Sequence, residues 1–335
     1  MKLSTITLIK ILALISCIFF AGCGNDSENS QSEVYEYIDE GENLNDQAMI
    51  NRLTISAQNF IDQGDLDNAV EVLSRLILIS PDNVDAYYKR ANVKRKLGLL
   101  EESIGDYTRA LDLDPSLVDA YLRRGVSHAN LGRFNEAIPD FDKVLEIGGP
   151  DAAMYRNRGL AYYELNMWHE SIEDFNTAIE IDPNLAVAFN DRGLAYVKLG
   201  QYNTAINDFE MAISVDPNFV IAYDNKGNAW QALANFYFAI DDYDKALELD
   251  PSYAPSYNNR GNAYRGLNDY ESALKDYTTA IQISPRNASS YFNRGVTYGL
   301  MEDWEKAIVD YSLAIAQDPI SVSYTHLTLP TNREV

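Results

Sequence analysis

Seven prolines stand on one grid with a spacing of 34 residues or a multiple of it: Pro81, Pro115, Pro183, Pro217, Pro251, Pro285 and Pro319. The skipped slot holds Gly149, with Pro150 one residue late. A fixed period of this length constrains the fold more than the total of 335 residues does. Each period is one small unit that cannot bury its apolar face alone and must stack on its neighbours. Units at 50–83, 84–117, 118–151, 152–185, 186–219, 220–253, 254–287 and 288–321 follow without insertion or deletion.

Within a unit the apolar spacing is helical. Ala205, Ile206, Phe209, Ala212 and Ile213 keep the i, i+3, i+4, i+7 rule. Two helices per unit are predicted. The first ends near Gly98, Gly132, Asn166, Gly200 or Asn268, residue types suited to a left-handed cap, and the second stops before its proline. Ser116, Asn184, Asn218 and Ser252, just after the prolines, are expected to cap the next unit's first helix.

The unit at 186–219 carries Phe189, Gly193, Tyr196, Ala205, Phe209, Ala212 and Pro217; two units later the same slots hold Tyr257, Gly261, Tyr264, Ala273, Tyr277, Ala280 and Pro285. On these residues the stretch 50–321 resembles the tetratricopeptide repeat family. The resemblance implies an all-α fold, a right-handed α-solenoid of eight helix-turn-helix repeats. Its groove, in this family, usually binds proteins or peptides. The first unit fits least well, with Leu53, Ala57, Phe60, Leu73 and Leu76 in the signature slots, as a terminal unit can.

One octapeptide recurs: YRNRGLAY at 155–162, YNNRGNAY at 257–264 and YFNRGVTY at 291–298. Its glycine (Gly125, Gly159, Gly193, Gly227, Gly261, Gly295) lies inside a helix, where glycine costs about 1 kcal/mol against alanine, so close packing is expected to offset it. Alanines on the second helix (Ala137, Ala205, Ala239, Ala273, Ala307) are expected opposite. The arginine (Arg90, Arg124, Arg158, Arg192, Arg260, Arg294, with Lys226 as the one exchange) is followed sixteen residues on by an aspartate: Asp106, Asp140, Asp174, Asp208, Asp276, Asp310, and Asp242 beside Lys226. Ser56 and Val72 replace both charges together in the first unit, which points to a repeated ion pair, within a unit or to its neighbour. The asparagines (Asn157, Asn225, Asn259, Asn293), with Asn228, Asn262 and Asn92 three residues beyond the slot, have no evident packing role. The resemblance places them on the groove face. An amide there can donate to and accept from an extended peptide backbone, so Asn157, Asn225, Asn228, Asn259, Asn262 and Asn293 are the candidate peptide-binding residues. Solvated polar positions on a helix are the plainer reading.

Asp224 and Ser289 occupy two basic slots of the family's clamp for carboxyl-terminal peptides, beside Asn228, Asn259 and Asn293, so that recognition is not expected. His128, in a core slot usually held by Tyr, and His169, near an inter-helix turn, have no metal-spaced partner. No nucleophile with base and orienter, no phosphate loop and no metal cluster is visible; the chain is expected to be no enzyme and to need no cofactor.

The amino terminus, MKLSTITLIKILALISCIFFAGC, reads as an export signal. Phe20-Ala21-Gly22-Cys23 resembles a bacterial lipobox, which implies a signal peptide over 1–22 and acylation of Cys23; Leu14-Ile15-Ser16-Cys17 also fits the pattern, and a secretory signal cut without lipid is the plain alternative. Residues 23–49 follow as a tether. From Gly24 to Ala48 there are eight acids and no Lys or Arg, a composition expected to be disordered, with a reach of roughly 25 to 30 Å. At the other end, VSYTHLTLPT matches one reading frame of a transposon-based sequencing adapter, so residues 322–335 are read as foreign to the array.

Acids outnumber bases 50 to 27, and the net charge of -23 repels nucleic acid and anionic lipid surfaces. The sequence therefore implies a lipid-anchored scaffold of the bacterial cell envelope, on its periplasmic or extracellular face. A protein or extended peptide would occupy its groove, and the only membrane contact would be the N-terminal lipid anchor. A substrate-docking array of a larger enzyme and a self-associating structural array are the competing readings.

Overall fold

The computed structural model describes residues 46–318. The signal segment 1–22, Cys23 and the tail 322–335 lie outside the described residues. The described residues fall into two units, 46–55 and 56–318. In the first, residues 46–55 are already helical, so helix begins four residues before the boundary at 50 set from the sequence; Asp46 to Met49 belong to α1 rather than to a tether.

Sixteen helices occupy the described residues: α1 (Asp46–Gln63), α2 (Leu66–Ile79), α3 (Val84–Lys96), α4 (Leu100–Leu113), α5 (Val118–Asn130), α6 (Phe134–Gly148), α7 (Ala152–Glu164), α8 (Trp168–Ile181), α9 (Ala186–Lys198), α10 (Tyr202–Val215), α11 (Val220–Ala232), α12 (Phe236–Leu249), α13 (Ala254–Gly266), α14 (Tyr270–Ile283), α15 (Ala288–Leu300) and α16 (Trp304–Gln317). From α2 onward each helix packs on the next in chain order. First helices of successive hairpins also meet directly, as α3 on α5, α7 on α9, α9 on α11, α11 on α13 and α13 on α15. The fold is a solenoid of helix-turn-helix units.

Each first helix stops by one residue turning left-handed: Gly98, Gly132 and Gly200 at φ 72–78°, and Asn166 and Asn268 at φ 61°. Ala234 and Glu302 take the same conformation in units that lack a permissive residue there, at φ 57° and 62°. The cap closes by a backbone bond such as Leu99 N to Lys94 O, 2.9 Å.

The turns between units correct one expectation. Ser116, Asn184, Asn218 and Ser252 do not cap; the N-cap positions are Leu117, Leu185, Phe219 and Tyr253, without a side-chain cap bond. Instead the aspartate before each proline (Asp114, Asp182, Asp216, Asp250) accepts the N–H two residues on at 2.9–3.0 Å. Proline fixes the backbone just after that carboxylate and brings the next N–H within its reach, so the turn is held ahead of the helix rather than at its cap. Side-chain capping appears where the cap slot itself is polar, at Asn83, Asp151 and Asn287.

The helical glycines pack against aromatic rings, not against alanines. A Cβ on Gly125, Gly159, Gly193, Gly227, Gly261 or Gly295 would lie 2.6–3.0 Å from the ring of Phe141, Phe175, Phe209, Tyr243, Tyr277 or Tyr311 respectively. The alanines face onward: Ala137, Ala205 and Ala239 share clusters with Ala161, Ala229 and Ala263 of the next first helix. A ring four residues further along the second helix reaches across to the glycine, while the alanine lets the following hairpin approach. At the last hairpin Ile308 is 63% exposed, whereas Ile206 and Ile240 in the same slot are 4% and 9% exposed under the next hairpin.

Two substitutions separate packing from helix propensity. Gly105 in α4 has open space around it, and Gly105→Ala is expected to raise the melting temperature, by about 0.5 to 1 kcal/mol of stability. Gly193→Ala gains the same propensity but drives a methyl into Phe209, and is expected to lower stability by about 1 to 3 kcal/mol. Thermal denaturation of both variants checks this; equal shifts of the same sign would contradict it.

Candidate peptide-binding face

Each arginine of the octapeptide has three sets of contacts. Arg192 binds Asp208 with two parallel bonds, Nε to Oδ2 at 2.8 Å and Nη2 to Oδ1 at 2.6 Å. Its Nη1 donates to Asn176 Oδ1 on the previous unit's second helix at 2.7 Å. Its guanidinium also lies over the Phe189 ring, 5.6 Å from the centroid. Arg158 repeats this with Asp174, Asp142 and Tyr155, and Arg260 with Asp276, Asp244 and Tyr257. The series of pairs runs from Arg90–Asp106 to Arg294–Asp310, at 2.6–3.0 Å, with Lys226–Asp242 as the lysine version. The pair is thus intra-unit and, through the third contact, inter-unit. The Asp side chains are only 3–10% exposed, so removing either partner strands a buried charge. Pairing with Asp174 raises the Arg158 pKa further above its ordinary value. Asp242, given only a lysine, is pushed up to about 6 by burial against the opposing pull of Lys226.

The asparagines have structural work that the sequence reading missed. Tyr243 and Tyr277 bury their hydroxyls and donate to Asn228 Oδ1 and Asn262 Oδ1, each at 2.8 Å; Tyr107 does the same to Asn92 at 2.7 Å. A buried phenol needs an acceptor. Where the ring is Phe141, Phe175 or Phe209, the acceptor slot holds Val126, Leu160 or Leu194. The co-variation is legible in the sequence itself. Unit eight breaks it, with Val296 facing the slot of Tyr311.

The other asparagines form rungs between successive first helices, thirty-five residues apart. Asn225 Nδ2 donates to Asn190 Oδ1 at 2.8 Å, Asn293 Nδ2 to Asn258 Oδ1 at 3.1 Å, and Asn259 Nδ2 to both oxygens of Asp224 at 3.2 Å. Arg156 to Asp191, 2.6 Å, and Arg123 to Tyr88, 3.1 Å, are the charged and phenolic versions. Asn157 is the exception, because the facing slot is Leu122 and no rung forms. The expectation that these amides lack a packing role is therefore corrected for Asn225, Asn228, Asn259, Asn262 and Asn293. In the three asparagine rungs the donors Asn225, Asn259 and Asn293 use Nδ2 and keep their own Oδ1 outside the bond, while Asn190 and Asn258 accept through theirs.

Asp224 is buried, and burial raises its pKa against the hydrogen bonds donated by Ser256 (2.6 Å), Asn259 and Asn228 (3.1 Å). Unlike the other buried aspartates it faces no cation in this set of contacts. Among the described residues no group of three His, Cys, Asp or Glu side chains could hold a metal ion.

Tetratricopeptide repeat models match at 118–147, 186–219 and 242–275, and a TPR repeat model at 57–98, 91–132, 159–200 and 261–302. The chain is a tetratricopeptide repeat protein. Among solved structures this tetratricopeptide protein is similar to one from Parabacteroides merdae (21% identity, 78% of this chain and 99% of that one, TM-score 0.59). It is also similar to the C-terminal part of a TPR repeat-containing protein from Cytophaga hutchinsonii (18%, 70% and 96%, 0.55). The APC/C hetero-tetramer Cut9-Hcn1 shares the fold as well (16%, 89% and 59%, 0.57). Among curated proteins none matches by sequence.

The phenol–amide pairing can be exchanged for the version found in neighbouring repeats. Asn262→Leu alone is expected to cost about 1 to 3 kcal/mol by orphaning the Tyr277 hydroxyl. Adding Tyr277→Phe, which recreates the Leu194–Phe209 arrangement, is expected to recover most of that loss in chemical denaturation. Additive losses would contradict the pairing.

Proposed function

We propose that this tetratricopeptide protein is a non-catalytic scaffold that holds an extended segment of a partner protein along the face of its first helices. The observation that carries the reading is the line of half-buried polar groups on that face. The donor amides Asn225, Asn259 and Asn293 keep an acceptor outside their inter-unit bonds, and Asn157 stands in the same line without a rung. An extended chain offers backbone donors and acceptors at regular intervals, and such a line meets them with little regard for sequence. Large partner-binding faces without a deep cavity are what a solenoid supplies.

The N-terminal sequence supports an envelope placement for this scaffold, with Cys23 as the acylated residue and two or more chains giving stable anchoring. No helix among the described residues is long and apolar enough to cross a membrane. The net charge of -23 weighs against nucleic acid as the partner. Self-association is favoured as a second reading by one observation, the apolar face of α16. Trp304, Ile308 and Val309 are each more than half exposed there.

Asn157→Ala tests the groove reading without disturbing a rung. Screened against an immobilised array of uncharged extended peptides, the wild-type protein is expected to retain a subset, and the variant to hold them about 2 to 10 times more weakly at an unchanged melting temperature. Retention of no peptide by the wild type, or identical retention by both, would refute it.

A further inference from the structure

The sixth unit, 220–253, departs from the ties that hold the others. Arg90, Arg124, Arg158, Arg192 and Arg294 each reach the previous second helix with Nη1, at 2.6–3.1 Å. Lys226 stops 3.7 Å from Glu210 on α10, and among the described residues its one close partner is Asp242 at 3.0 Å. An ammonium cannot close the hairpin and tie it backward at once. The inner turn is strained as well, with Ala234 left-handed at φ 57° where the units on either side place Gly200 and Asn268.

Toward the seventh unit the tie is Asp224, which is 5% exposed. Of the three asparagine rungs only this one ends on a carboxylate; Asn190 and Asn258 hold the same slot in the units on either side. The groups around Asp224 are Ser256 and Asn259 of α13, Asn228 of α11, Tyr243 of α12 and Tyr253 of the turn before α13. None of them is a cation. From α9 come Asn190, bonded to Asn225, and Asp191, held by Arg156. Asp242 faces Lys226 of α11, Glu210 of α10 and Asp241 on its own helix, while Arg260 of α13 is engaged by Asp244 and Asp276. One lysine therefore stands against Asp242, Glu210 and Asp241.

We infer that the sixth unit is a proton-controlled joint in the array: its hairpin opens first while Asp224 and Asp242 are ionised, and it closes on both neighbours when they take up protons. Burial raises the pKa of both carboxyls, that of Asp242 to about 6. A carboxylate raised in this way destabilises the folded unit when it is charged. The cost is present in full above the folded pKa and is relieved as pH falls through it toward the ordinary value. For Asp242 the window runs from about 6 down to about 4, so acidification stabilises this hairpin. A proton on Asp224 has a partner, because the Ser256 hydroxyl can accept as well as donate. Opening at α11 parts the face of first helices into a stretch up to α9 and a stretch from α13. That consequence for a bound segment rests on the groove reading above; the joint itself does not.

The test is hydrogen exchange of the full chain in detergent, read by mass spectrometry at about pH 7.5 and about pH 5.5 and corrected for the intrinsic pH dependence of exchange. The hairpin α3–α4 is the internal reference, since Arg90 makes both bonds to Asp106, the bond to Ser74 and the contact with the Tyr87 ring. At the higher pH the amides of α11–α12 are expected to exchange about ten times faster than those of α3–α4, and at the lower pH that ratio is expected to shrink at least about threefold. Two variants install versions that this array already uses. Lys226→Arg is expected to slow α11–α12 exchange at the higher pH, and Asp224→Asn together with Lys226→Arg to remove the pH dependence of the ratio. Equal protection of the two hairpins, a ratio unchanged by pH, or faster opening in acid would overturn the inference. A pH response removed in full by Lys226→Arg alone would overturn the part assigned to Asp224. Asn157-dependent peptide retention that is indifferent to pH, with the exchange result as expected, would leave the joint standing and remove its effect on the groove. Loss of all peptide retention would remove the groove reading and leave the exchange result to decide the joint.

Discussion

The stack depends on a guanidinium, present in six of the eight units, that is committed on three sides. Two of its bonds close the hairpin onto its own aspartate, a third reaches back to the previous second helix, and its flat face rests on an aromatic ring. A point charge cannot do all of this. Lys226 makes its Asp242 contact at 3.0 Å and only a long approach of 3.7 Å to Glu210. The fixed fork of arginine explains why six of these seven units use it. Since the aspartates are nearly buried, the pair gives specificity of stacking more than stability beyond an apolar alternative.

The same close approach explains the rest of the octapeptide. Glycine admits the aromatic ring of the second helix, and from the second unit to the seventh the ring's chemistry matches the next residue: aliphatic against Phe, amide against Tyr. The slot before the arginine faces the neighbouring first helix and forms a rung when the neighbour offers a polar group. Three adjacent positions thus serve three directions: the neighbouring unit, the unit's own second helix together with the previous one, and the aromatic ring. Function, if it lies on this face, uses atoms left over from that structural assignment.

Periodicity made the fold legible. The proline grid, the helical apolar spacing and the left-handed caps at Gly98, Asn166 and Gly200 all follow from local chemistry that repeats eight times. Partners were harder to read, since they depend on direction as well as spacing. Recurrence alone pairs the glycines with the alanines, whereas the ring reaches across the interface and the alanine points onward. Caps were misplaced by one residue because the aspartate ahead of proline competes for the same N–H groups. The amide roles are legible only when two slots are compared, Tyr with Asn and Phe with Val or Leu, because neither slot shows a pattern alone.

A double-mutant cycle on Arg192→Met and Asp208→Leu, followed by chemical denaturation, probes the coupling most directly. Each single change is expected to cost about 3 to 5 kcal/mol by stranding a buried partner, and the double variant to regain much of that loss, because two apolar side chains replace the pair. If the two costs simply add, the arginine and aspartate do not act as one unit and this account of the stacking fails.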